Sequence, residues 1–201
     1  MEFQIRRACA DDIPHIVALQ DCSLRQLSVG SYSAAQIELL VRTQGDARVR
    51  SFESGHEIIY VASAKVSSTQ RDLWMVAIAA FVPWQSKISG PYVHPDFVRQ
   101  GIATRLLQAV EAEAMSQGRT VLRVMSFLVG VPFYEAAGFR RLFSRTIHFA
   151  GESVDCVEMA KSLVSNNLFL EISKQFARQF AVVVGPLVVS VALVWFIALL
   201  I

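Results

Sequence analysis

The sequence predicts an α/β (α+β) fold: one domain of strands and helices, followed by a single C-terminal transmembrane helix. Three observations predict it. Apolar, β-rich runs recur from Phe3 to Ala160, with the alternation or continuous hydrophobicity of half-buried and fully buried strands. Between them, other segments place their apolar residues at helical spacing. At the far end, Phe180 to Ile201 carries no charged residue and has Ser190 as its only polar side chain.

Phe3 to Arg7 alternates and reads as a first strand. Asp11-Asp12 then supplies an N-cap ahead of Ile13, Ile16, Val17 and Leu19, which are spaced for a helix running to Leu27. Ser28 to Tyr32 turns around Gly30, and Ser33 caps a second helix carrying Ile37, Leu39, Leu40 and Val41. Ile58 to Ala64 and Leu73 to Val82 are β-rich runs joined by the polar Ser67-Ser68-Thr69-Gln70-Arg71-Asp72, a hairpin with a longish loop. Ile88 to Val93 is the next strand. A helix follows from Thr104 to Ser116, with Leu106, Leu107, Val110 and Ala114 on its apolar face. Val121 to Phe127 reads as a buried strand and Pro132 to Ala137 as a short helix. Two final strands, Phe139 to Phe149 and Val154 to Ala160, meet at Gly151. The total is seven strands and four helices, with no internal repeat.

The 201 residues suffice for one domain with a full core. The 53% hydrophobic content exceeds the about 45 to 50% of soluble domains, and the excess sits in the last stretch. A net charge of +2 without any Lys or Arg stripe argues against a nucleic-acid partner. The three cysteines, Cys9, Cys22 and Cys156, are widely spaced and lack metal-ligand spacing, so reduced thiols in a cytosolic domain are expected, with no disulfide and no metal. Met1 to Arg7 has no apolar core of signal-peptide length.

The stretch from Tyr92 to Leu107 carries the chemistry. It reads as a strand, a tight polar turn and a helix opening. Gly101 lets backbone approach a ligand without a Cβ in the way, and the helix adds free N–H groups and its positive dipole end. Such a site holds a diphosphate. Arg99 and Arg105 are placed to add charge-assisted contacts.

Val98-Arg99-Gln100-Gly101-Ile102-Ala103, preceded by Tyr92-Val93-His94-Pro95, resembles the acetyl-coenzyme A (acetyl-CoA) loop of the GNAT superfamily of N-acetyltransferases, written Q/R-x-x-G-x-G/A. Phe133-Tyr134-Glu135-Ala136-Ala137-Gly138-Phe139 resembles the superfamily's later FYExxGF motif. The resemblance covers approximately Phe3 to Lys161. It implies a mixed, mostly antiparallel seven-stranded sheet, splayed in the middle, with helices on both faces. It also implies acetyl-CoA as co-substrate, bound by Val98, Arg99, Gln100, Gly101, Ile102, Ala103 and Thr104, with the pantetheine arm entering the splay against the backbone of Tyr92 and Val93. Tyr134 becomes the general acid that serves the departing thiolate. The first two helices would border the acceptor site, which makes Tyr32 a substrate-site candidate.

Two departures stand out. Val98 occupies a position usually held by Gln or Arg, and no asparagine stands near Val129. No carboxylate lies in Trp84 to Ser89, so the general base stays open between His94, Asp96 and a water chain.

The expected function is acetyl transfer from acetyl-CoA to a primary amine of a small molecule or peptide. Transfer of a longer acyl chain to a membrane-associated acceptor, or non-catalytic acyl-CoA sensing, are the alternatives. At about 1.5 Å per residue the run from Phe180 to Ile201 is roughly 33 Å long, enough for one span. The expected organisation is therefore a GNAT domain over 1–162, a juxtamembrane helix over 163–179 and a span over 180–201. Lys174 and Arg178 flank that run and place the catalytic domain on the cytoplasmic side of a tail-anchored protein. A homodimer is left open.

Overall fold

The computed structural model describes residues 3–65, 73–149 and 152–164. Its strands are β1 (Phe3–Arg7), β2 (Ile58–Lys65), β3 (Leu73–Val82), β4 (Lys87–Val93), β5 (Val121–Phe127), β6 (Arg140–Phe149) and β7 (Glu152–Ser162). The helices are α1 (Ile13–Leu27), α2 (Ala34–Glu53), α3 (Ile102–Ser116) and α4 (Val131–Ala136). The strands form one 7-stranded sheet in the order β1-β2-β3-β4-β5-β7-β6. Every neighbouring pair is antiparallel except β4 and β5.

Local chemistry sets most of the boundaries. Ser33 caps α2 through a reciprocal box: its Oγ accepts from the Gln36 N–H at 3.2 Å, and Gln36 Oε1 accepts from the Ser33 N–H at 2.8 Å. Asp12 does not cap α1 as the sequence suggested. Residues Ala10–Asp12 form a separate 3-10 turn. The Asp12 carboxylate reaches back to the Cys9 N–H at 2.8 Å and pairs with both Arg6 Nη atoms at 2.6 and 2.8 Å. α3 begins at Ile102 rather than Thr104, because Gly101 turns left-handed, at φ 78°, immediately before it.

The sheet is covered on both faces. On one, α3 inserts Ile102, Leu106, Leu107 and Val110 against Ala77, Ala79, Phe81, Ile88 and Leu122. On the other, α1 and α2 pack Ile16, Leu19, Ile37 and Leu40 on Ile59, Val61, Ile78 and Ala80. β3 supplies both cores by alternating, Ala77 and Ala79 to one face and Ile78 and Ala80 to the other, the period of two that a pleated strand imposes.

The β4–β5 contact is short. Only Lys87↔Arg123 and Ile88↔Val124 are in register, after which the strands part. The cause lies in β4. Its pairing with β3 jumps from Ala80↔Ser89 to Ile78↔Tyr92, so Gly90 and Pro91 bulge out opposite Ala79. Gly90 takes φ +92°, and a Cβ there would crowd the Ile78 carbonyl at 3.2 Å. Pro91 has no N–H to offer a ladder.

Among the described residues no helix is long and apolar enough to cross a membrane. The span expected over 180–201 and the juxtamembrane helix over 163–179 lie outside the described residues, apart from Leu163 and Val164 at its start. The hairpin loop at 66–72 also lies outside them.

Candidate active site

The turn into α3 holds two left-handed residues, Arg99 at φ 63° and Gly101 at φ 78°. This alternation curls the backbone so that successive N–H groups converge, the concavity that takes an anion. No side chain caps α3, so the N–H groups of Ile102, Ala103 and Thr104 lack both an intrahelical carbonyl and a cap. The helix dipole adds positive potential at the same place. A Cβ at Gly101 would meet no protein atom within 4 Å, so the space over it is open to a ligand.

A cavity of about 800 Å³ runs from this turn through the β4–β5 gap to the C-terminal half of α1 and the middle of α2. Val98, Arg99, Gly101, Ile102, Ala103 and Thr104 line it at the α3 end, and Tyr92, Val93 and Tyr134 line the gap. Among the co-substrate contacts expected over Val98–Thr104, Gln100 does not line it, since its Nε2 folds back onto the Asp96 carbonyl at 3.3 Å. The two strand residues differ in what they offer. The His94 N–H binds the Val76 carbonyl at 2.8 Å, on the β3 side. By alternation the Tyr92 N–H faces β3 as well, while the Val93 N–H faces the gap.

Tyr134 enters from the first turn of α4 with its ring against Phe133 and Phe139, at centroid distances of 5.2 and 5.1 Å. Its hydroxyl donates to the Gly90 carbonyl, the group turned into the gap by the bulge. Burial holds its pKa well above that of a free tyrosine. It therefore keeps its proton at neutral pH.

The other end of the cavity is polar in a way the sequence reading missed. Arg48, on α2, is 3% exposed. Its Nε donates to Gln20 Oε1 at 3.1 Å, its Nη2 to Ser89 Oγ at 2.8 Å, and its Nη1 pairs with the Glu57 carboxylate. The guanidinium also lies 6.0 Å from the centre of the Tyr92 ring. The network ties α1, α2, the start of β2 and the β4 bulge into one wall, and Glu57 and Ser89 line the cavity. A signal was present: Arg48 falls in the buried stripe Ile37, Val41, Gly45, Arg48 of α2, where a charge needs a partner.

A family model described as the acetyltransferase (GNAT) domain matches residues 40–163. This chain is a GNAT acetyltransferase. Solved structures agree on the fold. A GCN5-related N-acetyltransferase from Rhodopseudomonas palustris is 24% identical, aligns over 81% of this chain and 96% of its own, and has a TM-score of 0.71. The PaiA N-acetyltransferase from Thermoplasma acidophilum, in complex with coenzyme A, is 19% identical over 81% and 99% of the two chains, with a TM-score of 0.62. The yncA acetyltransferase from Salmonella typhimurium, with its cofactor acetyl-CoA, is 15% identical over 83% and 96%, with a TM-score of 0.56. No curated protein sequence matches significantly.

In this acetyltransferase Tyr32 is a brace. It does not line the cavity. Its hydroxyl accepts from the Leu128 N–H at 2.9 Å and donates to the Asp155 carbonyl, joining the α1–α2 turn to the ends of β5 and β7. His94 likewise shapes its turn, with Nδ1 accepting from the Asp96 N–H at 3.3 Å. Asp96 points to solvent, its side chain 83% exposed. Neither faces the gap.

Proposed function

We propose that the protein transfers the acetyl group of acetyl-CoA directly to a primary amine. One observation carries this reading: the β4–β5 gap connects the uncapped N-terminus of α3 to the hydroxyl of Tyr134 and then to the polar end of the cavity. The residues present fit the co-substrate. The Val98–Gly101 turn and the first N–H groups of α3 would hold the diphosphate. The Val93 N–H would hold the pantetheine arm as an added strand.

Acetyl-CoA supplies the activated thioester. The amine nitrogen forms a bond to the acetyl carbon as the carbon–sulfur bond breaks, and the electron pair leaves with sulfur. Tyr134 turns its hydroxyl from the Gly90 carbonyl to that sulfur and donates a proton or a hydrogen bond. The proton lost by the amine leaves to water. Burial keeps Tyr134 protonated for this role.

The test is calorimetric binding of acetyl-CoA together with thiol release over a panel of amines. Absence of binding at millimolar concentration would overturn the reading, and tight binding without turnover on any amine would reduce the protein to a sensor.

We also propose that the uncharged run 180–201 anchors the protein in a membrane, with the catalytic domain in the cytoplasm. Its length and composition, with Lys174 and Arg178 on its N-terminal flank, support this.

A further inference from the structure

Lys87 begins β4, in the short stretch where that strand pairs with β5, and it lines the cavity. Its side chain is half-buried, and among the described residues no carboxylate lies within ion-pair distance of it. The charged groups that reach it are Arg123 on β5, Arg145 on β6 and Glu158 on β7. Glu158, the only anion of that set, is bound to Arg123 at 2.9 Å. The carboxylate that lines the cavity, Glu57, is bound to Arg48. Lys87 therefore presents an ammonium with no carboxylate paired to it among the described residues, at a partly desolvated part of the cavity wall. An isolated buried charge is unfavourable until an opposite charge meets it.

We propose that the acceptor amine carries an anionic group, a carboxylate or a phosphate, and that Lys87 binds it. The inference rests on the transfer reaction proposed above and names its substrate class. Lys87 and Gly90 stand three positions apart on β4, roughly 10 Å at about 3.3 Å per residue. The lysine side chain spans part of that interval, so an anion a few bonds from the amine fits. Lys87 and Ser89 alternate with Ile88, which points into the α3 core, so both face the α1 and α2 side from which the amine would enter.

The experiment compares paired acceptors that differ only in the anion: glycine against glycinamide, and 2-aminoethyl phosphate against ethanolamine. In the full-length chain the anionic member of at least one pair should show a kcat/KM at least tenfold higher, and the favoured pair tells carboxylate from phosphate. Lys87→Met should bring that ratio to about one, chiefly through KM of the anionic acceptor, and Lys87→Arg should restore most of it. Calorimetry on the coenzyme A complex gives a readout without turnover: N-acetylglycine or N-acetyl-2-aminoethyl phosphate should bind at least tenfold more tightly than its neutral counterpart, and Lys87→Met should remove the difference. Equal or better use and binding of the neutral members would overturn the proposal while leaving acetyl transfer intact. An undiminished preference in Lys87→Met would overturn it too. Failure of acetyl-CoA itself to bind would instead remove the transfer reaction on which it rests.

Discussion

The hydroxyl of Tyr134 donates to the carbonyl of Gly90, bridging α4 to the bulge of β4 across 44 positions of sequence. It takes an acceptor that a continuous sheet would have given to β5, so the gap is stabilised by a side chain that also lines the cavity. Tyr134→Phe keeps the ring and removes only that donor. We expect turnover to fall about 100- to 10,000-fold with acetyl-CoA affinity nearly unchanged. The unpaired Gly90 carbonyl should also cost about 1 to 3 kcal/mol of stability. A fall in turnover below threefold would make Tyr134 a packing residue only.

Gly101→Val should abolish coenzyme A binding. The space over Gly101 is empty of protein, so the obstruction falls on the ligand. The left-handed backbone adds about 1 to 2 kcal/mol of strain, which the domain should survive. Calorimetry with acetyl-CoA beside a thermal melt separates the two effects.

Arg48→Ala or Glu57→Ala strands the other member of an ion pair whose side chains are only 2% and 10% exposed. Each change should lower stability by about 3 to 5 kcal/mol, a fall in Tm of roughly 6 to 20 °C. The double variant should lose clearly less than the sum, because the second change removes the stranded charge. Additive losses would show that the pair is not coupled.

All 4 tyrosines, Tyr32, Tyr60, Tyr92 and Tyr134, have pKa values raised chiefly by burial. The unfolded chain therefore releases these protons first, at about pH 10, while the folded chain still holds them. With more protons bound in the native state, stability is intact below that pH and falls as pH rises through and beyond it. Thermal melts between pH 8 and 11, read beside tyrosinate absorbance, should show Tm declining together with ionisation. A flat Tm across that range would contradict the burial of these hydroxyls.

The full-length chain should sediment with membranes and resist carbonate, whereas a chain ending at Val164 should stay in solution and still bind acetyl-CoA. Recovery of the full chain in the carbonate-soluble fraction would remove the anchor.

What the residues alone determined is what local interactions control. Strand alternation, the Ser33–Gln36 box and the Gly101 turn before an amphipathic helix each lie within a few positions of chain, so their geometry follows from neighbouring side chains and backbone preferences. The left-handed turn before α3 and the order of strands and helices were legible for that reason. Only the tertiary structure decided what distant residues do to one another. Tyr32 looked available to a substrate until Leu128 and Asp155, 96 and 123 positions away, took its hydroxyl. Arg48 was a charge in an apolar stripe until folding set Glu57 and Ser89, 9 and 41 positions on, around its guanidinium. Lys87 lines the cavity without a paired carboxylate among the described residues, while Glu158, on β7, is bound to Arg123. Pairing of charges and hydrogen bonds in a low-dielectric wall depends on which partners are brought within about 3 Å, and sequence spacing does not carry that distance.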